Sequence, residues 1–397
     1  PLGPFRAFAR AACEENMKDR KPAAGDDTDN PDKHGADKRA ATGLLAGTRI
    51  VEFAGLGPGP FACMILADLG AEVVRVARDA PTQEEARIVL NRNRRHSAVI
   101  DLKSPAGRDE ALRLIAGADA VVEGFRPGVM ERLGLGPETC LGVNPALVYC
   151  RCTGWGQDGP LAKTAGHDIN YIALSGALHA IGPRHGKPVA PPGLVGDFGG
   201  GGMIAAIGVL AALNAAAHSG EGRVIDAAMV DGAAMLMALF YGMKAEGSWR
   251  DERGVNLVDG GRPYYDTYAC ADGRHVAVGP IENRFYAEFL SLLGLGDIPA
   301  QAQDDPALWP ETSRRIAERL ATKSRDEWCR AFEGSDACLA PVLSMAEAPA
   351  HDHNVARGTF LNEWVLQPAP APRFSGIEAA VRPLPATLTD VSRLAAE

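Results

Sequence analysis

The sequence predicts an α/β protein, with a large parallel-sheet domain followed by a smaller α+β domain. Three observations predict it. Short apolar, β-branched segments alternate with helical stretches from residue 48 to residue 229, the pattern of strands joined by right-handed helical crossovers. Glycine and proline punctuate the segment ends, as in Gly55-x-Gly57-Pro58-Gly59-Pro60. Near Arg262 the rhythm changes to two tyrosine- and valine-bearing segments around an Asp272-Gly273 turn.

The first strand is read at 48–54 and a turn at 55–59. A helix with Pro60 in its first turn then runs to Leu69, where Gly70 stops it. Strands follow at 72–76, 96–101, 120–125 and 147–152, with Ser104 capping a helix that has Pro105 at its first position. The four glycines 199–202 open an apolar helix at 203–217, a sixth strand spans 223–229, and a second apolar helix covers 230–244. Two strands at 264–268 and 275–278 precede helices at 283–293, 309–322 and 326–332. The domain reading is a flexible tail at 1–41, a large domain at 42–225, linker helices at 226–261, a small domain at 262–345 and a C-terminal return to the large domain at 346–397. The tail is assigned on composition: residues 18–39 carry almost no large apolar side chains and cannot offset their own ordering entropy.

Composition narrows the function classes. With 397 residues the chain can bury a large core without disulfides or metals. Its 41 basic against 50 acidic residues leave −9, which argues against a nucleic-acid partner but not against an anionic ligand held by a few placed arginines. No unbroken apolar run of about 18 residues is read, so no membrane span is expected. Eight scattered cysteines, with no CxxC, fit free thiols in a reducing compartment. The C-terminal Ala395-Ala396-Glu397 is not a peroxisomal tripeptide, and a cytoplasmic protein is expected.

Several groups of residues could carry chemistry. Gly55-x-Gly57-x-Gly59 lacks the dinucleotide spacing, although a helix start there favours an anion. Arg75, Arg78, Arg92, Arg94, Arg95, Arg126 and Arg132 fall near strand ends; they read either as a solvated rim or as a set for a ligand with several phosphates. Arg126 is the most directed of them, framed by Gly124, Pro127 and Gly128. His167 and Asp197 are the acid–base candidates. Asp197 precedes a glycine-rich helix start, whose unpaired N–H groups would hold an oxyanion, and His167 titrates near neutrality. Placed on opposite sides of one carbon, the two could pass a proton to and from either face. His351-x-His353 has the spacing of a metal pair but no further ligands near it, so no metal is expected. Met229, Met235, Met237 and Met243 sit near helical spacing, and read either as core or as a deformable apolar surface for acyl chains.

These motifs resemble the family III CoA-transferase (CaiB/BaiF) group, and within it the α-methylacyl-CoA racemase branch. The likeness is carried by 49–60, GFRPGV at 124–129, TGWGQ at 153–157, AGHDINY at 165–171, LVGDFGGG at 194–201, 226–232, 263–268 and Ile281-Glu282. It implies an interlocked homodimer of chains with a Rossmann-like large domain and a small domain. The expected substrate is an acyl-CoA thioester, with coenzyme A part of the substrate and no separate cofactor or metal. The expected reaction is racemisation of 2-methylacyl-CoA through an enolate. The racemase histidine matches His167, its aspartate Asp197, and a glutamate partnering the histidine Glu282. Positions matching CoA contacts are Arg78, Arg126, Arg132 and Tyr171, and the acyl surface includes Met229 and Met235. Between residues 79 and 100 the chain departs from the family pattern, which leaves open which of Arg92, Arg94 and Arg95 meets the nucleotide. The alternative is CoA transfer, in which Asp168 would attack the thioester and form a mixed anhydride.

Overall fold

A computed structural model describes residues 43–378, 380–385 and 387–390. The tail read at 1–41 lies outside the described residues. Six strands form one sheet: β1 (Arg49–Phe53), β2 (Glu72–Ala77), β3 (His96–Val99), β4 (Ala120–Glu123), β5 (Val148–Thr153) and β6 (Arg223–Ala228). All five pairings are parallel, in the order β3-β2-β1-β4-β5-β6. Between β1 and β4 the chain reverses its direction of travel across the sheet. In such sheets this point opens a crevice beyond the carboxyl ends of the strands.

Both faces of the sheet are covered, as parallel strands require. On one face Val51, Phe53, Val74, Val121 and Tyr149 pack with Ala111, Leu114 and Ile115 of α2 (Pro105–Ala116). Ser104 caps that helix, accepting the Gly107 N–H at 3.0 Å. On the other face Ile50, Val73, Val122 and Val148 meet α1 (Pro58–Asp68) and the C-terminal part of α4 (Leu194–Ser219). Between β5 and α4 lies α3 (Asp168–Leu174).

The helix expected at 203–217 starts nine residues earlier. Its segment Leu194–Met203 winds as a π-helix, with the Phe198 N–H reaching Gly193 O at 3.1 Å. The glycines expected to open the helix lie inside it and are contact points. A Cβ on Gly200 would stand 2.6 Å from Ala233 N, and one on Gly202 2.7 Å from Phe61. Their bare backbone lets α1 and α5 (Met229–Leu236) close on the wide helix. The apolar helix expected at 230–244 breaks at Met237 into α5 and α6 (Ala238–Ala245). By length and composition α4 could cross a membrane, although Asp197, Asn214 and His218 interrupt its apolar residues. Here it lies along the sheet, burying Ala205, Ala206, Val209 and Ala212.

The smaller unit is an antiparallel sheet of β7 (Asp266–Ala269), β8 (His275–Val278) and β9 (Leu339–Pro341). Tyr264, Val276, Phe289, Ile316 and Trp328 share its core with α7 (Asn283–Leu293), α8 (Trp309–Leu320) and α9 (Arg325–Ala331). Afterwards the chain returns to the large sheet. Arg92 donates to Pro368 O at 2.6 Å, and the Thr389 N–H reaches Ser97 O on edge strand β3 at 2.9 Å.

Candidate active site

A cavity of about 340 Å³ opens at the reversal point, lined by the ends of β1, β4 and β5 and the loops that follow them. The loop after β1 turns at Gly57, whose φ of +73° suits glycine, and Pro58 begins α1. The loop after β4 is tied by Glu123, which accepts the Phe125 N–H at 2.7 Å and so aims Gly124-Phe125-Arg126 along the cavity wall. His167 enters from the 164–167 loop and Met229 from the start of α5.

His167, Asp168 and Asp197 meet beside this cavity. The main chain sets His167 at the start of α3, where its N–H donates to Asn170 Oδ1 at 3.0 Å. Asp168 Oδ1 accepts the Asp197 N–H at 2.8 Å, and only glycine fits at 196, where a Cβ would come within 2.3 Å of that oxygen. The Asp197 carboxylate faces the β1 loop, 3.3 Å from where a Gly57 Cβ would stand. Burial pushes the Asp197 carboxyl above the usual aspartate range; the Asp168 charge adds to the shift, and His167 opposes it. One expectation is corrected. Asp197 lies inside the first turn of a helix, not before its start, and its N–H is taken by Asp168, so that donor is not open to an enolate oxygen.

The other expected residues divide. Arg126 and Tyr171 line the cavity, and Arg132 folds its guanidinium back over the adjoining Gly128, 3.3 Å from where that residue's Cβ would stand. Arg78 is exposed just past the end of β2. Met229 lines the cavity, whereas Met235 is 57% exposed one α5 face away and lines none of it. Glu282 precedes α7 in the small domain, in electrostatic reach of Cys338, and is not among the cavity residues. Arg92 and Arg94 turn inward: Arg92 pairs with Asp68 at 2.6 Å and Arg94 with Glu52 at 2.8 Å, both nearly fully buried. Neither is open to a nucleotide, while Arg95 is exposed. Arg75 is buried too and reaches Glu85 at 3.8 Å. His351 serves as a helix cap, its ring nitrogen accepting the His353 N–H at 3.3 Å.

Among the cavity residues to which the sequence reading gave no role are Glu52, Glu123, Thr153 and Trp155. Burial pushes the Glu123 carboxyl up to about 7, against the pull of the Phe125 N–H and of Arg151, whose Nε donates to it at 3.2 Å. Its position directly before the glycine- and proline-framed Arg126 was the available signal.

The sheet order, the site at its reversal point and the arginine-bearing loops define the class. The chain belongs to CoA-transferase family III, whose model matches residues 45–387. The fold agrees: a CAIB/BAIF family protein from Brucella suis superposes with a TM-score of 0.71 at 25% identity, covering 85% of this chain and 94% of that one. Within the family, the chain is 47% identical to the alpha-methylacyl-CoA racemase of Mus musculus over 329 residues, 83% of this chain and 85% of that protein. It is 46% identical to the alpha-methylacyl-CoA racemase of Homo sapiens over 332 residues, 83% of this chain and 86% of that protein. The family likeness drawn from the motifs is thus borne out.

Proposed function

We propose that this protein is an isomerase that racemises 2-methylacyl-CoA thioesters. The observation that carries the reading is a histidine beside one cavity with an aspartate whose carboxyl burial pushes up, in a chain 46–47% identical to proteins named alpha-methylacyl-CoA racemase. The thioester carbonyl acidifies the α-carbon. Neutral His167 takes the α-proton of one enantiomer, and the electron pair of the broken C–H bond moves onto the carbonyl oxygen as an enolate. The Asp197 carboxylic acid then gives a proton to the opposite face, and the pair is left as imidazolium and carboxylate. The other enantiomer runs the same steps in reverse. The raised Asp197 carboxyl suits a group that must hold a proton and then release it. Arg126, Arg132 and Arg78 serve the phosphates, Tyr171 the thiol arm, and Met229 the acyl chain, with Met235 lying outside the cavity.

CoA transfer through Asp168 is the second reading, favoured by the family model and by the carboxylate's place next to His167. Asp168→Asn separates the two. The amide oxygen of the substituted side chain can still accept the Asp197 N–H, so racemisation persists. Removing the neighbouring negative charge lowers the Asp197 pKa, so the limb of the kcat/KM profile that Asp197 sets moves to lower pH: the alkaline limb for the enantiomer that His167 deprotonates, the acid limb for the one that Asp197 deprotonates. A profile unchanged in pH contradicts the coupling; loss of CoA exchange into free carboxylic acids reverses the ranking.

A homodimer belongs to the same reading. Leu194, Met203 and Ile207 on α4 and Leu236 and Leu239 on α5 and α6 present exposed apolar side chains, a pattern of interaction surfaces. Glu282 is not among the residues that line the cavity in its own chain, and a second chain would bring a Glu282 to orient the imidazole. Sedimentation at the mass of two chains is expected; a particle of 41.8 kDa contradicts it. The seven described cysteines are free thiols and suit a reducing cytoplasm.

A further inference from the structure

Two arginines near the ends of β4 and β5 stand in opposite circumstances. Arg126 is exposed on the cavity wall, and its guanidinium has no hydrogen-bond or ion-pair partner among the described residues. It lies within electrostatic reach of Tyr171, which lines the same cavity. Arg151 is buried, is not among the residues that line the cavity, and is committed to protein carboxylates. Strand pairing puts it directly beside Glu123, its register partner on β4. Its Nε donates to Glu123 Oε1 at 3.2 Å, and its two terminal nitrogens reach the two oxygens of Glu131 at 2.9 and 3.3 Å. The other Glu123 oxygen accepts the Phe125 N–H at 2.7 Å.

One guanidinium therefore holds the segment 125–131 at both ends, through Glu123 at Phe125 and directly at Glu131. Arg126 lies between the two pins. Bare glycines let the clamp close: a Cβ on Gly124 would stand 3.3 Å from Cys152 O of β5, and one on Gly136 2.8 Å from Glu131 Cγ. A forked arginine–carboxylate contact fixes direction as well as distance.

We propose that Glu123, Arg151 and Glu131 form a positioning clamp that aims Arg126 at the phosphates of the acyl-CoA nucleotide, while Arg151 itself touches no part of the ligand. The inference rests on the acyl-CoA reading above and adds how the phosphate end is gripped. An arginine carried on a loop that is already fixed loses less freedom when a phosphate arrives, so the clamp acts on binding and not on the proton transfers.

The test uses the full-length protein and two probes. One is adenosine 3′-phosphate 5′-diphosphate, the nucleotide end of coenzyme A; the other is a 2-methylacyl-pantetheine, which carries no phosphate. By calorimetry, Arg151→Met binds the nucleotide on the order of 10-fold more weakly. KM for 2-methylacyl-CoA rises with it at nearly constant kcat, and kcat/KM for the pantetheine thioester is unchanged. Arg126→Ala also weakens the nucleotide, and adding Arg151→Met to it costs less than about twofold more, because the clamp has nothing left to aim. If Arg151→Met does not fold, Glu131→Ala, at a half-exposed side chain, takes its place in the cycle with the same expected pattern. Unchanged nucleotide affinity in the clamp variant, a kcat/KM for the pantetheine thioester lowered as much as that for acyl-CoA, or equal losses with and without Arg126 overturn the assignment. Nucleotide binding needs no turnover. A coupled loss of affinity in a protein that exchanges no α-proton would sink the racemase reading and leave the clamp standing; α-proton exchange without the coupling would do the reverse.

Discussion

His167→Ala and Asp197→Asn each lower racemisation by about 10²–10⁴-fold, the usual worth of a positioned general acid or base. The two losses come from opposite faces of one carbon. Without the imidazole the proposed base on its side is gone; without the carboxyl the proposed acid on the other is gone. Asparagine is the better test at 197, because it keeps the volume packed against Gly57 and the main-chain N–H bonded to Asp168. Both variants still bind acyl-CoA, since Arg126, Tyr171 and Met229 are untouched. The effect therefore falls on kcat, with KM nearly constant. Chiral separation of the products, with equilibrium binding alongside, measures it. Wild-type turnover in either variant removes that residue from the mechanism.

Arg94→Ala is the most damaging change expected for stability. Arg94 is 2% exposed and its Nε and Nη2 grip both oxygens of Glu52, which is 1% exposed, at 2.8 and 2.9 Å. Its remaining nitrogen bonds reach Pro60 O at 2.8 Å and Leu90 O, so one guanidinium joins β1, the first turn of α1 and the 89–91 turn. Alanine leaves Glu52 charged, buried and unpaired in the middle of a parallel sheet. Breaking such a pair from one side costs about 3–5 kcal/mol, whereas replacing both partners by apolar groups is near neutral. Urea unfolding should thus show a loss of about 3–5 kcal/mol for Arg94→Ala and recovery of most of it in Glu52→Leu/Arg94→Met. A loss under about 1 kcal/mol, the size of an exposed pair, contradicts the account. Glu52 and Pro60 also line the cavity, so the single variant loses activity before it unfolds.

The strands were legible because parallel strands buried on both faces are short β-branched runs. β1, β2 and β4 fall within a few residues of their expected bounds. The start of the glycine-bearing helix at Leu194 was not legible. Four glycines read as the opening of a helix at 203, and their close approach to Ala233 and Phe61, which leaves no room for a side chain, is visible only in three dimensions. Arg92 and Arg94 were read as candidates for solvent or ligand because their partners, Asp68 and Glu52, lie 24 and 42 residues away in sequence. His167 and Asp197 were visible as residue types in unusual frames. That Asp168 holds the Asp197 N–H was not, since helix start and carboxylate meet only in three dimensions.

Proton NMR of one enantiomer of a 2-methylacyl-CoA incubated with the protein in D₂O tests the central claim most directly. The account predicts that the α-proton is replaced by deuterium while the opposite enantiomer accumulates to equality, with CoA staying on its acyl group when a free carboxylic acid is added. Retention of both the α-proton and the starting configuration, with CoA passing to the added acid, would contradict it.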